Sequence, residues 1–206
     1  MLIKNLDVDM EERVMAQLRT LPYSMDVDDE GHIIMTPLQP PGLTWDQLVC
    51  THPILPNDLH WKVEVNAENQ LIMSPPPSTP HQRNGTRIAV LLSHLLSEGA
   101  AFTESGVTVR DGTRVPDVGW ISNERLRRQT SRSAYSPAPE ICIEVISPSN
   151  SRREIQEKTR RYLEAGALEV WICAQTGNIS FFTADGQIEH SVLCPAFPNH
   201  IDSAVP

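Results

Sequence analysis

Hydrophobic side chains recur every three or four residues in three parts of the chain, which is the spacing of an amphipathic helix. The pattern predicts helices over residues 9–21, 84–98 and 152–165. Gly99 gives the second helix a natural end, and Ser151 with Glu154 predicts a capping box at the start of the third. A further capping box at residues 44–47 predicts another short helix.

Runs of β-prone residues lie between and after these helices. They predict strands at residues 101–110, 115–122, 140–146, 169–174 and 178–183, with a basic loop at 123–137. Within the third run, residues 141–146 are apolar on both faces of a strand, which is typical of a central strand that is covered on each side. The order of elements predicts a mixed α/β fold, in which a central mixed β-sheet is flanked by helices.

An imperfect internal repeat precedes the second helix. Residues 26–37 parallel residues 64–75 at an offset of 38, and each copy places polar residues between two β-prone runs before a proline. Each copy is therefore predicted to form a tight β-hairpin. The two hairpins could be similar by chance or through a small duplication.

Length and composition set the domain organisation. The chain has 206 residues, of which 40% are hydrophobic and 21% are charged, values typical of one globular domain with an extension. We expect an acidic N-terminal extension at residues 1–60 that packs on the core, a core domain at 61–190 and an irregular C-terminal tail at 191–206.

The formal net charge of −9 argues against a protein that coats nucleic acid or a membrane surface. The charge is unevenly distributed, however. Residues 1–60 carry three basic and ten acidic side chains, whereas residues 123–161 carry nine basic and five acidic ones. The basic segment is interpreted either as a solvated helix face and loop or as a surface that contacts phosphates.

The four cysteines, Cys50, Cys142, Cys173 and Cys194, are widely spaced and form no CxxC pair. Buried, reduced thiols are the expected state. The first 18 residues are rich in acids and show no signal peptide, and no stretch is apolar enough to span a membrane. Together these features favour a cytoplasmic protein without membrane contacts.

Two acidic residues stand in apolar strand runs, Asp117 in residues 115–121 and Glu144 in residues 141–146. An unpaired buried carboxylate is so unfavourable that Glu144 should have either a metal or a basic neighbour. Two such acids on consecutive strands suggest a shared divalent cation, because hard ions such as Mg²⁺ prefer carboxylate and backbone carbonyl oxygens.

Lys158 falls on the apolar stripe of the third helix, between Ile155 and Tyr162. This position directs the lysine towards the core side of the helix. It could be a functional cation beside the acids, a chain that reaches out to solvent, or the partner of Glu154 in an i,i+4 pair.

An ordered set of motifs resembles the Uma-two family of the PD-(D/E)XK nuclease superfamily, which is abundant in cyanobacteria. The motifs are Glu64, Ile72-Met73-Ser74-Pro75, His81-x-Arg83-Asn84, Pro116-Asp117, Glu144-Val145-Ile146-Ser147-Pro148-Ser149, Gln156-Glu157-Lys158, Tyr162-x-x-Ala165-Gly166 and Val170-Trp171. The resemblance covers roughly residues 61–183. It implies a restriction-endonuclease-like fold for the core domain.

The resemblance also implies roles for individual residues. Asp117, Glu144 and Val145 would bind Mg²⁺ or Mn²⁺, and Lys158 would orient the attacking water or stabilise the phosphorane charge. Glu64 would be a supporting fourth acid. His81 and Asn84 lie near the site in the family pattern and are expected to face the substrate. Arg125, Arg127 and Arg128 are expected to meet the substrate backbone because they lie in the loop between the two acidic strands.

These roles favour a metal-dependent endonuclease that hydrolyses DNA as a homodimer, since double-strand cleavage needs two sites. Two other interpretations stay open. The chain could be a catalytically silent module that binds nucleic acid or protein on a nuclease fold, or a metal-dependent hydrolase of another phosphate or ester.

Overall fold

The computed structural model describes residues 16, 19–20, 22–28, 31–39, 44–47, 61–74, 77–131, 133–146 and 150–202. The chain forms two compact units, Met1–Pro76 with Asp111–Thr113, and Pro77–Arg110 with Arg114–Pro206. Most of the predicted helix at 9–21 lies outside the described residues, as does Cys50. The predicted three-part division, with boundaries after residues 60 and 190, stays a prediction.

The described residues form thirteen strands and three helices of five residues or more. The strands are β1 (Tyr23–Val27), β2 (Ile33–Pro37), β3 (Lys62–Val65), β4 (Leu71–Ser74), β5 (Gly99–Thr103), β6 (Gly106–Val109), β7 (Gly112–Arg114), β8 (Val118–Ser122), β9 (Ala134–Tyr135), β10 (Ile141–Val145), β11 (Glu169–Cys173), β12 (Ile179–Thr183) and β13 (Gly186–Ile188). The helices are α1 (Thr79–Leu95), α2 (Asn123–Arg127) and α3 (Arg152–Glu164).

The first unit contains the two predicted hairpins, β1–β2 and β3–β4, both antiparallel. Their registers repeat at the offset found in the sequence, because Asp26 pairs with Ile34 and Glu64 pairs with Ile72. The hairpins then join through β2 and β4, where Ile34 lies opposite Ile72. The two copies are therefore related by an approximate two-fold axis between β2 and β4.

The turns of the two hairpins have the same hydrogen bonds. The amide of Asp28 donates to the carbonyl of His32 over 3.1 Å, and the amide of Asn66 donates to the carbonyl of Gln70 over 3.1 Å. Within each turn a side-chain oxygen, of Asp28 or of Asn66, accepts a bond from the residue four positions later. Gly31 and Asn69, which correspond in the repeat, both have positive φ.

The second unit is built on a six-stranded sheet in the order β13-β12-β11-β10-β8-β5. The β10–β11 pair is parallel and the other pairs are antiparallel, so the sheet is mixed, as predicted. Alternate residues of β10 enter different hydrophobic clusters. Ile143 and Val145 pack with residues of α1, whereas Cys142 packs with Tyr162 of α3. The two helices thus cover opposite faces of the central strand.

Several element boundaries differ from the sequence prediction. Helix α1 begins at Thr79 rather than at residue 84, with a proline in its first turn. The predicted strand at 101–110 is broken into β5 and β6 because Glu104 has a φ of 50°, which interrupts extended backbone. The predicted basic loop contains α2 and β9.

At both predicted capping boxes, the hydroxyl of the first residue accepts a hydrogen bond from the amide three residues later. The Ser151 hydroxyl accepts a hydrogen bond from the amide of Glu154 over 3.1 Å at the start of α3. Thr44 and Gln47 bond reciprocally, amide to side chain, over 2.9 and 3.4 Å. Among the described residues, no helix has both the length and the apolar character needed to cross a membrane.

Residues 189–202, the described part of the chain beyond β13, form no helix or strand, but they are anchored in the second unit. Phe197 and Ile201 are buried in the hydrophobic cluster on the α1 face of the sheet. The carboxylate of Glu169, which is only 1% exposed, accepts four hydrogen bonds, of which three come from this segment and hold it against β11. The donors are Trp171 Nε1, Ser191 Oγ, Val192 N and Leu193 N, at 2.7, 2.7, 2.7 and 2.8 Å.

Candidate active site

Glu144 lies one residue before the end of β10, with only 8% of its side chain exposed. The expected basic neighbour is present, since Lys158 Nζ lies 3.6 Å from Glu144 Oε2. The hydroxyl of Tyr162 donates a hydrogen bond of 2.7 Å to Glu144 Oε1. Each oxygen of this buried carboxylate therefore has its own partner on α3.

Helix α3 brings both partners to Glu144 through its periodicity. Lys158 and Tyr162 are four residues apart and so lie on one face of the helix. Tyr162 is completely buried, and 14% of the Lys158 side chain is exposed. The expectation that Lys158 points towards the core side of the helix is confirmed.

Asp117 lies directly before β8, with 10% of its side chain exposed. Its Oδ2 accepts a hydrogen bond of 2.7 Å from the amide of Val145. The same oxygen lies 3.2 Å from Nε2 of His81, which is in the first turns of α1. One of the residues assigned to the substrate is thus in direct contact with a proposed metal ligand.

The antiparallel pairing of β8 and β10 explains why the two acids come close. Val118 lies opposite Ile143, so the beginning of β8 faces the end of β10. Asp117 is bonded to the amide of the residue that follows Glu144. The site therefore contains two groups of side chains, Asp117 with His81 and Glu144 with its two partners on α3. The peptide unit between Glu144 and Val145 connects them, because its N–H binds Asp117.

Two buried cysteines lie within the electrostatic field of these acids. Burial, reinforced by the charge of Glu144, raises the pKa of the Cys142 thiol. Burial and the charge of Asp117 raise the pKa of Cys173 to about 12. Because only a thiolate is a strong nucleophile or metal ligand, both groups act as apolar packing at neutral pH. The expected buried, free state is confirmed for these two and for Cys194.

Asn84 is completely buried on α1, one turn after His81. Its Nδ2 donates a weak hydrogen bond of 3.5 Å to the carbonyl of Gln175, and its Oδ1 has no hydrogen-bond partner among the described residues. The following residue, Gly85, packs closely on β8, since a Cβ there would lie 3.6 Å from Val118. Asn84 thus brings an unused acceptor to the helix face that carries His81.

Arg125 lies at the other end of the same strands. It is on α2, after β8, and Ser122 and Asp117 are five residues apart, or about 17 Å along an extended strand. Its guanidinium forms an ion pair with Glu140 at 3.3 Å and donates to two carbonyl oxygens. These contacts tie α2 to the rest of the second unit, and its assignment to the substrate stays a prediction.

The other two arginines of this group are exposed. Arg128 pairs with Glu124, one turn earlier on the same segment. The assignment of Arg127 and Arg128 to the substrate stays a prediction.

Glu64 belongs to the first unit. It lies in β3, is 5% exposed and pairs in register with Ile72. Its assignment as a supporting acid stays a prediction.

Sequence reasoning missed two features of the site. It treated Tyr162 only as a packing residue, although its hydroxyl binds Glu144. It also did not foresee that Asp117 binds the main chain next to Glu144. The i,i+4 spacing of Tyr162 from Lys158 was the available signal for the first, whereas the second depends on strand register.

The donor set suits a hard divalent cation. Asp117 and Glu144 supply carboxylate oxygens, and the main chain at Val145 could add a carbonyl oxygen, which are ligands that Mg²⁺ accepts while keeping several waters. Across the described parts of the chain, no group of three or more His, Cys, Asp or Glu side chains is arranged to hold a metal ion. Any cation here would therefore depend on two side chains, main-chain oxygen and water.

Comparison with solved structures gives the fold class. The structure is similar to a crystal structure described as a "putative nuclease belonging to DUF820 from Anabaena variabilis ATCC 29413", with a TM-score of 0.54 and 17% identity over 68% of this chain and 87% of that chain. The mixed sheet with helices on its two faces is a restriction-endonuclease-like fold, as expected.

The sequence comparison then gives the family. The chain belongs to the Uma2 family, described as "Putative restriction endonuclease", whose pattern matches residues 51–200. This confirms the resemblance found in the motifs. No curated protein matches the chain.

Proposed function

We propose that this protein is a metal-dependent nuclease that hydrolyses DNA phosphodiester bonds. The observation that carries the proposal is the convergence of two acids on one peptide unit. Asp117 Oδ2 binds the amide of Val145 at 2.7 Å, and the preceding residue, Glu144, lies 3.6 Å from Lys158. Membership of a family described as restriction endonucleases supports a nucleic acid as the substrate.

Asp117, Glu144 and a main-chain oxygen of Val145 would hold the cation. When bound, Mg²⁺ or Mn²⁺ would supply Lewis-acid activation of the phosphate and of a water molecule. Lys158 is the cation that the chain itself supplies, and its ammonium group can orient the water or stabilise negative charge that develops on the phosphate. His81 beside Asp117 and the unused Oδ1 of Asn84 are the further polar groups that could contact substrate or water.

The arginines on and after α2 would bind the flanking backbone. Arg127 and Arg128 are exposed about five strand residues from Asp117, a distance that a bound duplex can span. They would add affinity that falls with salt, without sequence preference. Double-strand cleavage would need two chains, and light scattering should then give the mass of a dimer.

The test is cleavage of supercoiled plasmid, single-stranded DNA oligonucleotides and RNA oligonucleotides at low salt, with Mg²⁺, Mn²⁺ or a chelator. We expect nicking that requires the metal and is lost by at least 100-fold in Glu144→Gln. The matched control is Glu169→Gln, which makes the same chemical change at a buried acid on the neighbouring strand. Because this change is expected to lower stability, all proteins are assayed at a temperature at which circular dichroism shows the control to be folded. The folded control protein should cleave at the wild-type rate.

Cleavage that persists in the chelator, or in folded Glu144→Gln, would contradict the proposal. Cleavage of single-stranded or RNA substrates alone would retain the mechanism and change the substrate. Cleavage of neither DNA nor RNA, with no metal binding in calorimetry, would reject the nuclease.

A non-catalytic binding module is the second candidate. It is favoured by the net charge of −9 and by the existing contacts of Asp117 and Glu144 inside the protein. Such a module would bind an oligonucleotide or protein partner equally well with and without metal. Binding that is unchanged in Glu144→Gln, without turnover, would identify it.

A further inference from the structure

Tyr162 carries a hydroxyl group at a buried position where an aromatic ring without a hydroxyl would pack equally well. The ring is completely buried in the cluster on the α3 face of the sheet, among Val107, Cys142, Val170 and Ile172. A phenylalanine would fill the same volume. A buried phenol must instead find an acceptor, and this one donates 2.7 Å to Glu144 Oε1.

Tyr162 and Lys158 bind different oxygens of the same carboxylate. The tyrosine binds Oε1 at 2.7 Å, and the lysine lies 3.6 Å from Oε2. The terminal torsion of a glutamate is broad and roughly two-fold, so one contact leaves the carboxylate plane loosely defined. Two contacts from one rigid helix face fix that plane.

We propose that Tyr162 is a positioning residue that orients the Glu144 carboxylate through Oε1 and so keeps Oε2 with Lys158. The inference rests on the proposed function for its effect on metal binding, but the orientation of Glu144 can be tested without metal. Groups that hold a metal ligand by hydrogen bonds typically change metal affinity by about 10 to 100-fold when removed.

The test compares wild type with Tyr162→Phe, which removes only the hydroxyl. The matched control is Ser191→Ala, which removes another buried hydroxyl that donates 2.7 Å to a buried carboxylate, that of Glu169. Mn²⁺ affinity is measured by calorimetry and by the spin-resonance spectrum of the bound ion, next to thermal unfolding. Cleavage is measured across a range of metal concentrations.

Tyr162→Phe should weaken Mn²⁺ binding about tenfold, and cleavage lost at low metal should return at high metal. Ser191→Ala should lose thermal stability while keeping the wild-type metal affinity. If wild type binds Mn²⁺, an equal affinity in Tyr162→Phe, or an equal loss of affinity in both variants, would overturn the inference, because either result would mark the hydroxyl as structural only.

A crystal structure of metal-free Tyr162→Phe separates this inference from the proposed function. We expect the Glu144 carboxylate to turn and its contact with Lys158 to lengthen, whether or not the wild type binds metal. An unchanged carboxylate would overturn the positioning role. Wild type that binds no Mn²⁺ would reject the proposed function, while a turned carboxylate in the variant would still support the role of Tyr162.

Discussion

The carboxylate of Glu169 provides the most quantitative test of how the second unit is held together. It accepts four hydrogen bonds, two at each oxygen, from Trp171, Ser191, Val192 and Leu193. In Glu169→Gln one oxygen becomes an NH₂ group that cannot accept. The serine hydroxyl can rotate to accept from it, but an indole or amide N–H cannot.

The expected loss follows from these contacts. At least one buried N–H donor loses its acceptor, which costs about 1–3 kcal/mol, and the two bonds to the oxygen that remains lose the extra strength of a charged acceptor, about 1 kcal/mol each. The free energy of unfolding should therefore fall by about 3–5 kcal/mol. For a chain of this size, that corresponds to a fall in melting temperature on the order of 10 °C.

Chemical denaturation followed by circular dichroism and tryptophan fluorescence measures this change. Glu189→Gln is the matched control, because it makes the same substitution at a side chain that is 89% exposed. We expect the control to stay within about 0.5 kcal/mol of wild type. A similarly small change in Glu169→Gln would refute the view that this carboxylate anchors the C-terminal segment.

Three further predictions concern the hairpins, the thiols and the sheet. Asn66→Ala should lower the free energy of unfolding, measured by chemical denaturation, by about 1–2 kcal/mol, because the amide of Gln70 loses its side-chain acceptor. Asn66→Asp should lower it less, since an aspartate, Asp28, already occupies the equivalent position of the other turn. The three described cysteines should resist Ellman's reagent at pH 8 in the native protein and react after unfolding. Folding raises the pKa of Cys173 from 9.0 to about 12, so the stability that this thiol contributes should be present below pH 9 and lost between pH 9 and 12, as measured by denaturation across this pH range. Gly119→Ala should lower the thermal midpoint, corresponding to about 1–3 kcal/mol, because a Cβ there would lie 2.2 Å from the Phe102 ring; an unchanged midpoint would mean that the ring can move aside.

The parts of the site that sequence can predict are those where a residue conflicts with its surroundings. Glu144 is a charge inside an apolar run, so its need for a basic partner follows from the sequence alone. Lys158 can be placed because a helix has a fixed period. The repeat is visible as a 38-residue offset, and its two hairpins have matching registers.

Other features depend on contacts that no local pattern contains. The ring of Tyr162 fits the apolar stripe of its helix, so nothing in the sequence distinguishes its hydroxyl from that of a packing residue. The bond from Val145 to Asp117 requires the register of β8 against β10. A count of charges cannot distinguish arginines that could bind phosphate from arginines that already bind groups of the protein. Arg125 is of the second kind, because it pairs with Glu140 and donates to two carbonyl oxygens.

The repeated hairpin has a consequence for how the edge of this sheet is protected from aggregation. A chain with β3–β4 alone would leave β4 as an exposed edge with open backbone groups, a template for intermolecular pairing. The first hairpin covers this edge with a copy of the same structure, because β2 pairs with β4 around Ile34 and Ile72. The outermost strand of the pair then becomes β1, in which Asp26 is exposed. The first hairpin thus places the sheet boundary at a strand that carries an exposed charge, which discourages further strand addition.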